Sequence, residues 1–496
     1  MLRTILAFCL WFVPIIPNLA VAKTKAPNVI VIFCDDLGYG ELPAYRKLYQ
    51  GSEAFDTAIG SFTPHMDRLA GKGVVCTRAY GNNTCAPARM SLLSGKWPAR
   101  RVALGGQPMI GRAMREAGLK TAHYGKYHHE VEKEITIPHH EKFLEFDEFM
   151  GFEAMSNYFR KAGEVVEPRK NSPVTYRQGD KAIAYEFPEE GVYLTDQLAD
   201  HGVDFIERCS KEEAPFFLYL PFNAPHDPIQ AKPEDLRTLF PQQSKNAGTR
   251  QKIMAMVYAV DRGIGRLVET LEKTGQLDNT LIIITGDNGG EGKLSLTYPM
   301  HGFKHEPFDG GIRVPFIVWS KALEASGKKP DMYDGLVSLC DIFPTALKYV
   351  NPASDLSSLQ LDGTDIMPFL MGDKPPLTGR KYVNLRNLNF RSNTWDGGRD
   401  TPGKTMGACV ALIVDDHKIM RVAQDGNKKG EYSYQLQKLP DMTGKPKPHE
   451  SLAEDYYSDN LQDPKKKEDM IKRIEALFKS GDIPWEHNFP TEGLTP

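Results

Sequence analysis

The sequence predicts an α/β fold: a large, mainly parallel mixed sheet covered by helices on both faces, then a smaller C-terminal α+β subdomain on a short antiparallel sheet. Three observations carry that prediction. Short runs are continuously apolar, as strands buried on both faces are; the clearest are Asn28–Phe33, Phe216–Leu220, Leu281–Ile284 and Val314–Trp319. Amphipathic helical stretches separate these runs, the pattern of parallel strands joined by crossovers. Composition then shifts to Pro, Gly and Ser near residues 351–380, as in linkers.

The elements follow in chain order. Residues 1–22 read as a secretory leader: Arg3, an apolar stretch Ile5–Ile16, and a small-x-small cleavage site at Ala20-Val21-Ala22. Pro14 and Pro17 interrupt the stretch, which is short for a bilayer span. Phe8 before Cys9 argues against a lipoprotein site. The chain beyond residue 22 is expected to be exported, periplasmic or secreted, with no stable membrane insertion after cleavage. Pro64–Gly71 reads as a helix, Lys120–Tyr124 as a weaker strand, and Tyr258–Thr274 as a helix stopped by Gly275. Residues 23–375 should form the main domain and 376–496 the subdomain. In the latter, Cys409–Val414 and His417–Val422 read as strands. A last helix opens with an Asp463 cap and Pro464 at its first position. Met470, Ile471, Ile474, Leu477 and Phe478 make its apolar face, and Lys465–Lys467 a solvated one.

Charge is nearly balanced, 61 Lys+Arg against 64 Asp+Glu for a net of −3, so nothing points to nucleic acid. Cys34, Cys76, Cys85, Cys209, Cys340 and Cys409 are too sparse for a disulfide framework and are expected mostly as buried single thiols. Cys85 differs, because it precedes Pro87 and Arg89 where a helix begins.

Polar residues collect where the apolar runs end. Asp35-Asp36 follows the first, Lys126, His128 and His129 the Lys120 strand, Asn223 and His226 the Phe216 run, and Asp287-Asn288 the Leu281 run. Taken singly, each cluster also suits a cap, a turn or a structural histidine. In open α/β sheets, however, ligands bind beyond the carboxyl ends of the strands, and four strands would deliver these groups to one edge. Asp35, Asp36, Asp287 and Asn288 are hard oxygen donors of the kind that select Ca²⁺ or Mg²⁺. Arg89, Lys126 and Lys304 are the candidate cations for an anionic substrate, and His128 and His226 can hold or move protons.

These residues, in order, resemble the formylglycine-dependent sulfatases of the alkaline phosphatase-like superfamily. "CAPAR" at 85–89 with Leu93-Ser94-Gly95 resembles the signature Cys-x-Pro-x-Arg and its Leu-x-Gly ending. "NVIVIFCDDLGYGE" and "TGDNGG" are similar to the two metal-binding strands. "TPHMDRLAGKGVVCTRAY" resembles the early helix and strand, "GKYH" the Gly-Lys-x-His block, "APHDP" the His-x-Pro loop, and "KHEPFDGGIRVP" the Lys-x(4)-Glu-Gly-Gly segment. The likeness runs from about residue 27 to about 375, with a weaker echo in "EDYYSDNLQDP" near the C-terminus.

The resemblance implies that residues 23–375 are a sulfatase catalytic domain. It implies that a maturation enzyme oxidises Cys85 to formylglycine, an aldehyde that hydrates to a gem-diol. One Ca²⁺ per chain would be held by Asp35, Asp36, Asp287 and Asn288, with the matured residue 85 as a further ligand. The diol would attack sulfur. Arg89 and Lys126 would position it, His226 with Lys304 would assist the leaving alcohol, and His128 would take the proton that lets sulfate depart. The implied substrate is a sulfated carbohydrate or another sulfate ester. Three positions depart from the family pattern: Ala88 for the commoner serine, His65 for asparagine, and Asp309 for glutamate. Ser156 is only a loose counterpart of the family's substrate-site serine. Specificity is expected in the variable stretches Glu130–Tyr193 and Asn384–Met406, the second carrying Arg386, Asn389, Arg391 and Trp395.

Overall fold

A computed structural model describes residues 26–46, 61–97, 108–128, 146–152, 158–159, 174–178, 181–185, 191–292, 295–297, 300, 302–376, 380–386, 390–391, 405–406, 409–423, 432–439 and 463–479. The expected leader lies outside them. Among the described residues, ten strands form the main sheet: β1 (Asn28–Asp35), β2 (Val74–Tyr80), β3 (Lys120–Lys126), β4 (Glu148–Phe152), β5 (Val174–Gln178), β6 (Lys181–Tyr185), β7 (Phe216–Pro225), β8 (Thr280–Gly286), β9 (Phe316–Trp319) and β10 (Met332–Ser338). Their order is β10-β2-β9-β8-β1-β7-β3-β4-β5-β6. The central strands β8, β1, β7, β3 and β4 are mutually parallel. β9 runs antiparallel between β8 and β2, and β5 and β6 extend the far edge as antiparallel strands.

The continuous apolar runs have the expected cause. On β1, Ile30, Ile32 and Cys34 enter one buried core, while Val29, Val31 and Phe33 enter the other. The first core packs against helices α1 (Pro64–Lys72), α3 (Leu194–Lys211) and α4 (Thr249–Lys273); the second takes α2 (Cys85–Ser94). Each large apolar side chain fully buried this way contributes about 1.5–3 kcal/mol.

The second sheet is antiparallel: β11 (Lys381–Arg386), β14 (Cys409–Val414), β15 (His417–Ala423) and β16 (Tyr432–Lys438), in the order β11-β14-β15-β16. A short pair, β12 (Phe390–Arg391) and β13 (Thr405–Met406), stands apart. Helix α5 (Pro464–Lys479) covers β14–β16 through Met470, Ile474 and Leu477, with Ile471 half-buried beside them. Its cap is the predicted one, because the Lys466 N–H donates to Asp463 Oδ1 at 2.9 Å. The second sheet meets the first where Tyr382 stacks on Tyr80, ring centroids 5.2 Å apart, and where Lys418 Nζ donates to the buried Asp309 Oδ1 at 2.9 Å.

Candidate active site

Register brings the polar clusters together. Cys34 of β1 lies opposite Gly286 of β8 and Phe222 of β7. The residues that follow therefore leave the sheet at one carboxyl edge: Asp35-Asp36, Asp287-Asn288 and His226. β3 adds Lys126 at its end and His128 two residues later. Asp36 (φ 61) and His128 (φ 32) have positive φ, a costly backbone for non-glycine residues that concentrates at functional sites. Gly81 turns the chain from β2 toward α2. A Cβ there would lie 2.1 Å from the Asp287 carbonyl oxygen, so only glycine allows the turn to come this close. The next residue uses that closeness, since the Asn82 N–H donates to Asp287 O at 3.0 Å. Cys85 then opens α2, buried at 3 % exposure. It sits where helical N–H groups favour negative charge.

The acids form one network. Asp287 Oδ1 accepts the N–H of Asp36 at 3.0 Å and of Asn288 at 2.8 Å. Asn288 Nδ2 donates to Asp36 Oδ1 at 2.7 Å. Arg89 Nη2 lies 3.4 Å from Asp287 Oδ2 and 3.5 Å from Asp35 Oδ2. Its Nη1 donates to the Lys126 carbonyl at 2.8 Å, and its guanidinium lies over the Phe33 ring, 5.2 Å from the centroid. Lys126 Nζ pairs with Asp35, and Lys304 Nζ with Asp36 Oδ2 at 2.8 Å. His226 Nε2 stands 3.7 Å from the same Asp36 oxygen.

Two oxygens are left over. Asp35 Oδ1 and Asn288 Oδ1 are buried with no hydrogen-bond partner. An orphaned buried acceptor costs about 1–3 kcal/mol, and two of them beside three carboxylates are what a bound hard cation would relieve. Donor atoms of Asp35, Asp36, Cys85 and His226 all lie within 4.8 Å of one another. The residues thus fit a divalent ion held by oxygen.

Electrostatics agree. Burial and the adjacent Asp35 carboxylate push Asp287 upward. Asp35 is held well below the usual carboxylate range despite its burial, by Lys126, His226 and Arg89. Without a cation the buried acids resist full ionisation. Burial and Asp35 also push the Cys85 thiol well above its ordinary value. Burial, then Lys126 and Arg89, depress His128 to about 3, so its imidazole stays neutral. Burial opposes charge on His226, yet Asp35 foremost, with Asp36 and Asp227, lifts it above the ordinary value.

The structure brings Asp35, Asp36, Cys85, Arg89, Lys126, His226, Asp287, Asn288 and Lys304 into this network, with His128 half-buried within its field. His65 and Asp309 lie elsewhere. The His65 N–H donates to Asp261 Oδ2 at 3.1 Å. Asp309 accepts from Lys418, from Tyr80 at 3.1 Å and from Arg313 at 3.4 Å, a structural node. Five of the cysteines, Cys34, Cys76, Cys85, Cys209 and Cys340, are buried and free. Ser156, Asn389 and Trp395 fall outside the described residues, and for Arg386 and Arg391 only strand backbone is described. Sequence reasoning passed over Asp227, whose carboxylate Oδ1 lies 3.0 Å from His226 Nδ1. Its signal was adjacency, the acid directly after the histidine in "APHDP".

Comparison with known proteins points the same way. Residues 27–352 match the Sulfatase family model. The chain is 31 % identical over 423 residues to the Escherichia coli (strain K12) protein described as uncharacterized sulfatase YdeN, covering 75 % of this chain and 70 % of that one. It is 28 % identical over 467 residues to human N-acetylgalactosamine-6-sulfatase, covering 82 % and 81 %. Among solved structures, Ps i-CgsB in complex with k-i-k-neocarrahexaose superposes with a TM-score of 0.71 at 26 % identity over 94 % of both chains. With the family model spanning well over half its length, this chain belongs to the sulfatase family and is a sulfuric ester hydrolase.

Proposed function

We propose that the chain is an exported carbohydrate sulfatase that uses formylglycine made from Cys85 and one Ca²⁺ held by Asp35, Asp36, Asp287 and Asn288. The observation that carries the reading is the pair of orphaned buried oxygens, on Asp35 and Asn288, in the network that Cys85 joins. The chemistry of residue 85 also supports it. A buried thiol held protonated is a poor nucleophile, so conversion by a maturation enzyme gives the position a use. Hydrated formylglycine would supply a hydroxyl nucleophile whose geminal partner lets sulfate leave without water attacking sulfur. Calcium, when bound, would supply positive charge against a sulfate oxygen and lower the pKa of the attacking hydroxyl.

The chain's own side chains do the rest. Arg89, one turn after residue 85 on α2, is fixed by the Lys126 carbonyl and two carboxylates and so anchors the start of that helix at the network. Lys126 and Lys304 offset the acids and draw in an anionic ester. His128, neutral at working pH, can accept a proton. His226 Nε2 and Lys304 Nζ both face Asp36 Oδ2, and they are the donors available to a leaving alcohol.

The names of the relatives, an N-acetylgalactosamine-6-sulfatase and a protein in complex with k-i-k-neocarrahexaose, support a carbohydrate substrate. Export rests on the leader in residues 1–22; among the described residues no helix is long and apolar enough to cross a membrane. Residues 23–375 are taken as the catalytic domain and 376–496 as the subdomain. The test is kcat/KM on defined sulfated oligosaccharides, an aryl sulfate and the matching phosphate monoester. A preference for the oligosaccharides is expected. Equal or better turnover of the aryl sulfate removes the carbohydrate assignment, and preference for phosphate removes the sulfatase reading.

A further inference from the structure

His226 is held on every side except one. Its backbone N–H donates to Asn223 O at 2.9 Å, and its carbonyl accepts the Tyr158 hydroxyl at 2.9 Å. Its ring Nδ1 meets two oxygens of the following residue, the Asp227 carbonyl at 2.7 Å and the carboxylate Oδ1 at 3.0 Å. Both are acceptors only, so Nδ1 carries the proton. Nε2 is left to face the reaction site, 3.7 Å from Asp36 Oδ2. The Asp227 side chain is 47 % exposed and needs no buried partner of its own. Glu291 also approaches this pair, but it faces Lys304 Nζ at 4.0 Å.

We propose that Asp227 is a positioning residue that holds the His226 ring in the orientation and tautomer needed to protonate the leaving alcohol. The inference rests on the sulfatase reading above and deepens it. As the ester S–O bond breaks, its electron pair passes to the leaving oxygen. That oxygen takes the Nε2 proton, and the imidazole is left neutral with Nδ1–H still on Asp227. The backbone carbonyl alone could set the tautomer. The carboxylate adds a second anchor against ring rotation and a negative charge beside the ring while both nitrogens are protonated. The same division of labour recurs where a carboxylate orients a catalytic imidazole.

The proposal makes a demand that a merely structural residue would not. A sugar alkoxide is a poor leaving group and needs the proton, whereas a 4-nitrophenolate barely does. Asp227→Asn should lower kcat on a sugar sulfate at least tenfold, yet lower it no more than about threefold on 4-nitrophenyl sulfate. Across aryl sulfates of graded acidity, the dependence of rate on leaving-group pKa should steepen. Asp227→Glu should recover part of the sugar-sulfate rate. His226→Ala should show the same pattern with larger amplitude, and adding Asp227→Asn to it should cost less than about twofold more, because the two act as one unit. Equal losses on both substrates, no loss on either, or additive losses in the double variant overturn the proposal while leaving the sulfatase reading intact. A wild-type protein inactive on every sulfate ester overturns both.

Discussion

Residue by residue, the site works by placing opposite charges where neither can reach water. Asp35, Asp36 and Asp287 would repel one another if ionised together, and Arg89, Lys126 and Lys304 match them charge for charge. A divalent ion would give the orphaned Asp35 Oδ1 and Asn288 Oδ1 a partner and leave the site net positive for an anionic ester. Asp287→Ala removes the acceptor that fixes both the Asp36 and the Asn288 backbones. It should cost at least about a hundredfold in kcat/KM and in metal affinity together. Metal titration of the variant checks this, and unchanged Ca²⁺ affinity would take Asp287 out of the ligand set. Asp35, Asp36, Asp287 and Asn288 were legible in the sequence because each pair follows an apolar run that reads as a buried strand, whereas Arg89 and Lys304 stood out only as cations in the family-like motifs. Asp227 was not legible. An acid between histidine and proline reads equally as a turn residue, and only the 3.0 Å approach to Nδ1 separates the two readings.

At the scale of elements, strand register and one tight turn align the chemistry. Gly81→Ala would force the β2–α2 turn away from the Asp287 carbonyl. The expected result is a protein that folds but has lost most of its turnover and binds metal more weakly, as measured by sulfate release and by calorimetric metal titration. Wild-type activity would show that the turn can shift without moving Asp287. Helix α4 shows why element bounds were harder to read than element type. The sequence places it at Tyr258–Thr274, but it spans Thr249–Lys273. Its earlier half, Ile253 through Val257, is buried without a break, so the half-polar periodicity that marks an amphipathic helix is missing there. Direction was equally hidden in β9. A short apolar run does not encode which way a strand points, and this one, starting at Phe316 after Pro315, runs antiparallel to β8.

For the molecule as a whole, buried ion pairs tie distant segments to the site's scaffold. Lys418 of the second sheet reaches Asp309, and Arg250 of α4 clasps Glu41 with two 2.6 Å hydrogen bonds. Glu41 in turn accepts from Ser61 at 2.9 Å and from the Leu296 N–H at 2.8 Å. Burial opposes the charge on Glu41, but Arg250 and these donors hold its pKa below the ordinary 4.5. Its depressed folded-state value means that the stability it contributes is complete above pH 4.5 and is lost as the pH falls through that lower value. Glu41→Gln should therefore be less stable than wild type at pH 7, and its stability should fall less steeply on acidification. Urea unfolding across the acid range measures both, and parallel pH profiles would exclude this role. The sequence alone pointed to both sheets and the linker region. It could not pair Lys418 with Asp309 or Arg250 with Glu41, because such contacts depend on how whole layers dock.

The central claim is that residue 85 acts as an aldehyde and not as a thiol. Mass spectrometry of the peptide containing residue 85, taken from catalytically active protein, tests it most directly. The account predicts formylglycine, trapped as a hydrazone; an intact cysteine in fully active protein would contradict it.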